Sequence, residues 1–219
     1  MITTGRAIIF DAEGVVVDTE GAWDAAQAEL LNRRGRAYPR DTLKPLLTGR
    51  GERAAIEIII DVCGLDDEPD ALAAERRVLM AALLARSVRF VPGFREYFAT
   101  VHPEVGTCVA TSMEPSLLAL ADTATGLSRL FGGRVVDLSV PGVRPKPAPD
   151  VFLLAAERLG VPPADCVVIE DSATGVAAAR AAGMRCVGLA TTHPAEILAG
   201  ADVTALSWAD VPPVHPAPR

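Results

Sequence analysis

Residues 6–20 read RAIIFDAEGVVVDTE. The apolar run Ala7-Ile8-Ile9-Phe10 stops at Asp11, and a second run, Val15-Val16-Val17, stops at Asp18. The first run is short and rich in β-branched residues, the pattern of a strand buried on both faces. Gly14, just beyond it, permits a tight backbone turn. Asp11 then falls at the carboxyl edge of the strand, where open parallel α/β sheets bind their ligands. A carboxylate there can serve as a nucleophile or a metal ligand; it can equally cap the next turn.

The rest of the chain shows what kind of sheet this strand would join. The 219 residues are half hydrophobic, enough for one large domain or two small ones around a substantial core. A net charge of -7 argues against a role on nucleic acid. No apolar run reaches the length of a membrane span, and MITTGRAIIF leads straight into a strand, so neither a membrane segment nor a signal peptide is expected. Cys63, Cys108, Cys166 and Cys186 have no pairing or metal-type spacing, and three of them sit in apolar, strand-like runs. Small buried thiols in a reducing cytoplasm account for them. The only lysines are Lys44 and Lys146 among 21 basic residues, which singles each out as a possible compact ammonium.

From Thr19 to about Ser87 the pattern is helical throughout. Thr19 can cap a helix with Trp23, Ala26 and Leu30 on one face; a second carries Leu43, Leu46 and Leu47, and Gly49-Arg50-Gly51 breaks it. A third carries Ala55, Ile56, Ile59 and Ile60, and a fourth, after Pro69, Leu72, Leu79 and Leu83. This block is too long for an ordinary crossover and reads as an inserted helical cap. Strand and helix then alternate. Buried runs at Thr107–Ala110, Arg134–Asp137, Cys166–Ile169, Arg185–Leu189 and about 202–204 are each preceded or followed by helical spacing. The chain ends in VPPVHPAPR, a proline-rich stretch expected to be poorly ordered.

Repeated strand-then-helix units make a parallel sheet with right-handed crossovers, so all the carboxyl ends share one edge. Asp11, Glu13, Thr111, Ser112, Glu170 and Asp171 therefore become neighbours, and the VPGVRPKPAPD loop can bring Lys146 to them. Four carboxylates cannot gather unpaired without raised pKa values or a cation, and for all-oxygen ligands that cation is Mg²⁺. Magnesium, a lysine and a hydroxyl form a phosphoryl-binding set. Taken singly, Thr111, Glu170 and Asp171 also fit helix capping, and Lys146 a solvated loop.

FDAEGVVVDTE, FVPGFREYF, VATSMEP, RPKPAPDVF, VIEDSATGVAAARAAGM and THPAEILAGAD stand in an order that resembles the haloacid dehalogenase superfamily, in its β-phosphoglucomutase-like branch. The resemblance spans nearly the whole chain. It implies a Rossmann-like parallel-sheet core of residues 1–18 and 88–211 with a helical cap of 19–87, and the proline-rich 212–219 remain as the disordered tail. It also implies a magnesium-dependent phosphoryl-transferring hydrolase or mutase; the expected substrate is a small phosphorylated metabolite such as a sugar phosphate, and the protein is expected to be cytoplasmic, a monomer or weak dimer. Carried over, Asp11 is the nucleophile, and Asp11, Glu170, Asp171 and the residue-13 carbonyl hold magnesium. Thr111, Ser112 and Lys146 bind the phosphoryl group. Apart from the resemblance, the Gly-flanked Arg50 and Arg53 of the TGRGER loop can reach a charged part of the substrate, although arginines in such a loop are more often solvated charges.

The departure is Glu13, where family phosphatases and mutases carry Asp as general acid and base. Phosphonate-cleaving relatives have a small residue there and a cap lysine, but the spacing of Lys44 does not match that lysine. Mutases of the branch carry a cap-loop arginine and a lysine after the threonine motif, where this chain has Glu52 and Glu114. A phosphatase is favoured; a phosphomutase, or a phosphate-binding relative with little turnover, is the alternative.

Overall fold

The computed structural model describes residues 4–47 and 52–216. The chain forms two compact units, residues 1–18 with 89–219, and residues 19–88.

The first unit is built on a six-stranded parallel sheet. In spatial order its strands are Val135–Val136, Gly106–Ala110, Ala7–Phe10, Cys166–Glu170, Arg185–Leu189 and Val203–Ala205. Ala7–Phe10 lies centrally, with Phe10 level with Val109 on one side and Ile169 on the other. Every residue of that strand is fully buried, because a central parallel strand is covered on both faces and so reads as an unbroken apolar run.

The two faces are packed differently. Ala7 and Ile9 join Cys108, Ala110, Cys166, Val168 and Cys186 under the Asp150–Leu159 and Ala173–Ala181 helices. Alanines at 155, 156, 178 and 179 line that contact, so the helix backbones come close to the sheet. On the other face Phe10 sits 5.5–6.1 Å from the rings of Phe94, Phe98, Phe131 and Trp208, separations typical of interacting aromatic pairs. Trp208 also donates its indole N–H to the Val15 carbonyl (3.1 Å), so the turn after the first strand is tied to the aromatic layer. Cys108, Cys166 and Cys186 are free and buried.

Val17–Asp18 pairs antiparallel with Arg89–Phe90, and the Arg89 guanidinium meets the Asp18 carboxylate at 3.1 Å. This short ribbon, formed where the chain leaves the first unit and where it returns, was not foreseen. Two residues per strand carry too little alternation to be recognised.

The second unit contains the helices Glu20–Asn32, Arg40–Leu47, Glu52–Cys63 and Pro69–Ser87. Leu30, Leu43, Ile56, Ile59, Leu72, Met80 and Leu84 fill its interior. Toward the end of the last helix Leu84 rather than Leu83 is buried, and Thr19 makes no side-chain cap bond. Arg34 ties two parts of the unit together through Asp67 (2.6 Å) and Glu75 (2.8 Å). The breaker Gly49-Arg50-Gly51 lies outside the described residues.

The chain's end corrects the sequence expectation. Instead of a disordered tail from 212, His215–Pro216 runs parallel to Thr4–Gly5, and Val211 and Val214 are buried. Apolar valines among the prolines supply burial, and a short edge ladder tolerates residues that cannot donate. Residues 217–219 lie outside the described ones. Among the described residues no helix is long and apolar enough to cross a membrane.

Candidate active site

The site is assembled from three adjacent strand ends. Asp11 follows the central strand and continues its ladder, donating its backbone N–H to the Ile169 carbonyl at 3.0 Å. Glu170 closes the neighbouring strand and Asp171 follows it. On the other side Thr111 follows Ala110 and donates its N–H to the Val136 carbonyl at 2.9 Å. In-register pairing puts these residues at one level, so buried backbone ladders set their spacing. All four are buried: Asp11 is 7% exposed, Thr111 1%, Glu170 1% and Asp171 6%.

Lys146 comes from the loop before the Asp150–Leu159 helix. Its Nζ bonds the Asp11 carboxylate and donates to Glu170 Oε1 at 2.6 Å, with the ammonium 4.6 Å above the Phe152 ring. The Lys146 backbone N–H donates to Ser112 Oγ at 3.0 Å, so Ser112 anchors the loop that carries the lysine. The Lys146–Pro147 peptide bond is cis. Thr111 Oγ1 accepts from the Met113 N–H at 3.0 Å, which leaves its own hydroxyl hydrogen to donate.

Burial decides the electrostatics. It pushes the Asp11 carboxyl up to about 7; the negative charges of Glu170 and Glu13 add to this and the Lys146 ammonium opposes it. Burial also raises Asp171 well above the usual carboxylate range, helped by Glu170 and Asp11. For Lys146 burial works against the charge, but Asp11 and Glu170 outweigh it and the ammonium is held more firmly than usual. One lysine among three buried acids leaves negative charge in excess. Carboxylate oxygens of Asp11, Glu170 and Asp171 lie within 4.8 Å of one another. A hard, all-oxygen set at that spacing suits Mg²⁺, whose charge would offset the excess.

Not every expected residue joins this group. The Glu13 side chain is half-buried in the turn after the strand and is not one of the three metal-spaced acids. That turn is closed by Gly14 N–H to the Val17 carbonyl (2.9 Å) and Val16 N–H to the Ala12 carbonyl (2.9 Å). The resemblance offers a metal only the backbone carbonyl of residue 13. Arg53 belongs to the helical unit, where it is exposed and pairs with Glu57 (3.0 Å) and Asp70 (3.6 Å). Arg50 lies outside the described residues.

Four residues matter more than their sequence context suggested. Ser172 caps the Ala173–Ala181 helix through Gly175 N–H (3.0 Å), and both its N–H and its hydroxyl donate to Glu170 Oε2 at 2.9 Å. Gly175 lies against Glu170, and a Cβ there would overlap the carboxylate. Thr192 donates to Asp171, and Thr191 donates to the Gly14 carbonyl at 2.5 Å. The signal was a glycine inside a helix pattern and two hydroxyls just past a strand. Both patterns are too common to be decisive alone.

Fold and site together define an α/β enzyme with an acidic, lysine-bearing centre at the carboxyl edge of its sheet. The family model of the haloacid dehalogenase-like hydrolases matches residues 6–183, and the chain belongs to that family. It is 35% identical over 180 residues to the fructose-1-phosphate phosphatase YqaB of Escherichia coli strain K12, covering 82% of this chain and 94% of that one. It is 32% identical over 204 residues to a probable pseudouridine-5'-phosphatase of Drosophila melanogaster, covering 87% of each. A crystal structure of a hydrolase of the same family from Deinococcus radiodurans R1, with bound phosphate and sodium, superposes with a TM-score of 0.80 at 30% identity, covering 94% of this chain and 93% of that one.

Proposed function

We propose that the chain is a magnesium-dependent phosphatase that hydrolyses a small phosphorylated metabolite, such as a sugar phosphate, through an aspartyl-phosphate on Asp11. The observation that carries this is Lys146 bridging Asp11 and Glu170 beside Thr111 and Asp171, all buried at one sheet edge. The names of the two relatives, a fructose-1-phosphate phosphatase and a probable pseudouridine-5'-phosphatase, agree with the reaction class.

An Asp11 oxygen attacks phosphorus in line with the ester oxygen, and the P–O bond to the leaving group breaks as the new P–O bond forms. Glu13 gives its proton to the departing oxygen. Water then attacks the aspartyl-phosphate, Glu13 takes up its proton, and phosphate leaves with Asp11 restored. Lys146 and the Thr111 hydroxyl hold phosphoryl oxygens through both steps, from positions set before substrate arrives. Bound between Asp11, Glu170 and Asp171, Mg²⁺ would supply positive charge that lets a phosphate dianion approach a carboxylate. The free, buried cysteines suit a reducing compartment such as the cytoplasm.

A mutase is disfavoured by Glu114. At the position where the branch's mutases have a lysine, its carboxylate caps the Pro115–Thr125 helix, accepting from the Ser116 (3.0 Å) and Leu117 (3.2 Å) N–H groups.

The test is phosphate release from a panel of phosphorylated metabolites and p-nitrophenyl phosphate at fixed Mg²⁺, repeated in EDTA. Release on several panel members that stops in EDTA is the expected result. Undiminished release in EDTA would overturn the metal-dependent reading, and phosphate binding without release would favour a low-turnover binding protein. In the same assay Arg53→Ala should raise KM for the best metabolite while leaving KM for p-nitrophenyl phosphate near wild type. Equal shifts on both substrates, or none, would remove Arg53 from substrate recognition.

A further inference from the structure

We propose that Thr192 is a positioning residue that orients the Asp171 carboxylate toward the metal, while the adjacent Thr191 ties the Glu13-bearing turn to the same strand end. The proposal rests on the magnesium reading above and adds two residues to it.

The three acids are held unequally. Asp11 has the Lys146 ammonium; Glu170 has Lys146 and both donors of Ser172. Asp171, equally buried, has a single side-chain donor among the described residues, the Thr192 hydroxyl on Oδ2. With one neutral partner Asp171 has the least charge compensation of the three acids, which leaves it to a cation to hold it ionised. Its orientation then depends on that one bond, because the backbone alone leaves the carboxyl free to rotate about its side-chain torsions.

Thr192 can do this because of where the chain turns. The Arg185–Leu189 strand lies next to Cys166–Glu170, with Gly188 level with Glu170. After Leu189 the backbone folds back, Thr191 N–H donating to the Leu189 carbonyl at 2.9 Å. Two successive side chains are thereby delivered to the site edge. The Thr191 hydroxyl reaches the Gly14 carbonyl and the Thr192 hydroxyl reaches Asp171. Gly14 has φ +71°, and a Cβ there would overlap both the Asp171 carboxylate and the Thr192 methyl group. The first turn, Asp171 and the two threonines are thus packed without a spare side chain's width between them. A donor that fixes a ligating carboxylate in this way changes metal affinity when it is removed.

The test titrates Mg²⁺ into the full-length protein by isothermal calorimetry, comparing wild type with Thr192→Val and Thr192→Ser. Valine keeps the shape and removes the donor; serine keeps the donor. The Mg²⁺ dissociation constant should rise about 10- to 100-fold in Thr192→Val and return most of the way in Thr192→Ser. KM for p-nitrophenyl phosphate at saturating Mg²⁺ should stay near wild type, a split that a general loss of packing would not produce. If Thr192→Val does not fold, Thr192→Ala removes the same hydroxyl and is read the same way. Wild-type affinity in Thr192→Val, or no recovery in Thr192→Ser, would overturn the positioning role while leaving the phosphatase reading intact. A wild-type protein that takes up no Mg²⁺ would overturn both.

Discussion

Asp11→Asn should lower the rate of phosphate release by about 10⁴-fold or more on every substrate, because it removes the attacking atom itself. An amide oxygen is a poor nucleophile toward phosphorus, and no neighbouring group stands in the same place. Lys146 already engages Asp11, Thr111 is a strand away, and Glu170 is occupied by Lys146 and Ser172. The fold should survive. Asn has nearly the same volume, so the packing around residue 11 is kept. The change also removes one of three buried carboxylates that repel one another, and Lys146 keeps Glu170 as its partner. Two measurements decide the matter. Rapid quenching of wild type with a labelled substrate should trap an acid-stable, alkali-labile phosphoryl group on the protein, absent from Asp11→Asn. The melting temperature of the metal-free variant should not fall below that of wild type. Turnover persisting in a well-folded Asp11→Asn would mean that the nucleophile is not Asp11.

Glu13→Ala should slow alkyl phosphates by about 10²- to 10⁴-fold and aryl phosphates much less. The asymmetry is the point of the prediction. An alkoxide is a poor leaving group and needs a proton as the P–O bond breaks, whereas a nitrophenolate leaves largely unaided. Glu13 has one methylene more than the Asp usual in this family, so its carboxylate reaches further and has one more torsion to immobilise. A misplacement of about 1 Å can cost about a hundredfold, so the turn that carries Glu13 has to be held. The structure shows how: Gly14 takes a positive φ, the turn closes on itself through Ala12 and Val17, and Thr191 grips the Gly14 carbonyl. Glu13→Asp should preserve the ratio of alkyl to aryl rates better than Glu13→Ala, since it retains an acid on the same turn. Equal loss on both substrate types would place Glu13 in the shared hydrolysis of the aspartyl-phosphate rather than at the leaving group, and no loss on either would show that Glu13 transfers no proton.

The first strand shows how far residues alone can be read. Four consecutive apolar residues stopping before Asp11 were enough to read a strand buried on both faces, because both faces of such a strand exclude water and no polar alternation survives. The Cys166–Glu170 strand was legible for the same reason, and so the meeting of Asp11 with Glu170 and Asp171 followed from parallel pairing. Lys146 was harder. Its loop carries no period, and what drew attention to it was the scarcity of lysine in an arginine-rich chain together with the family resemblance of RPKPAPDVF. The ordered end of the chain was missed because Val214 and the prolines around it read as a solvated stretch until Thr4–Gly5 is seen beside His215–Pro216.

The sequence by itself determined the alternation of strands and helices, the all-helical segment and the residue types at the strand ends. These depend on periodic burial, which is written locally along the chain. Only the tertiary structure decided how closely Asp11, Glu170 and Asp171 approach, that Ser112 holds the Lys146 loop, that Gly175 makes room for Glu170, and that Thr192 serves Asp171. Each of these joins residues through a packing distance of a few ångströms across different strands or loops. A one-dimensional pattern does not encode such a distance, because close packing of the whole unit sets it.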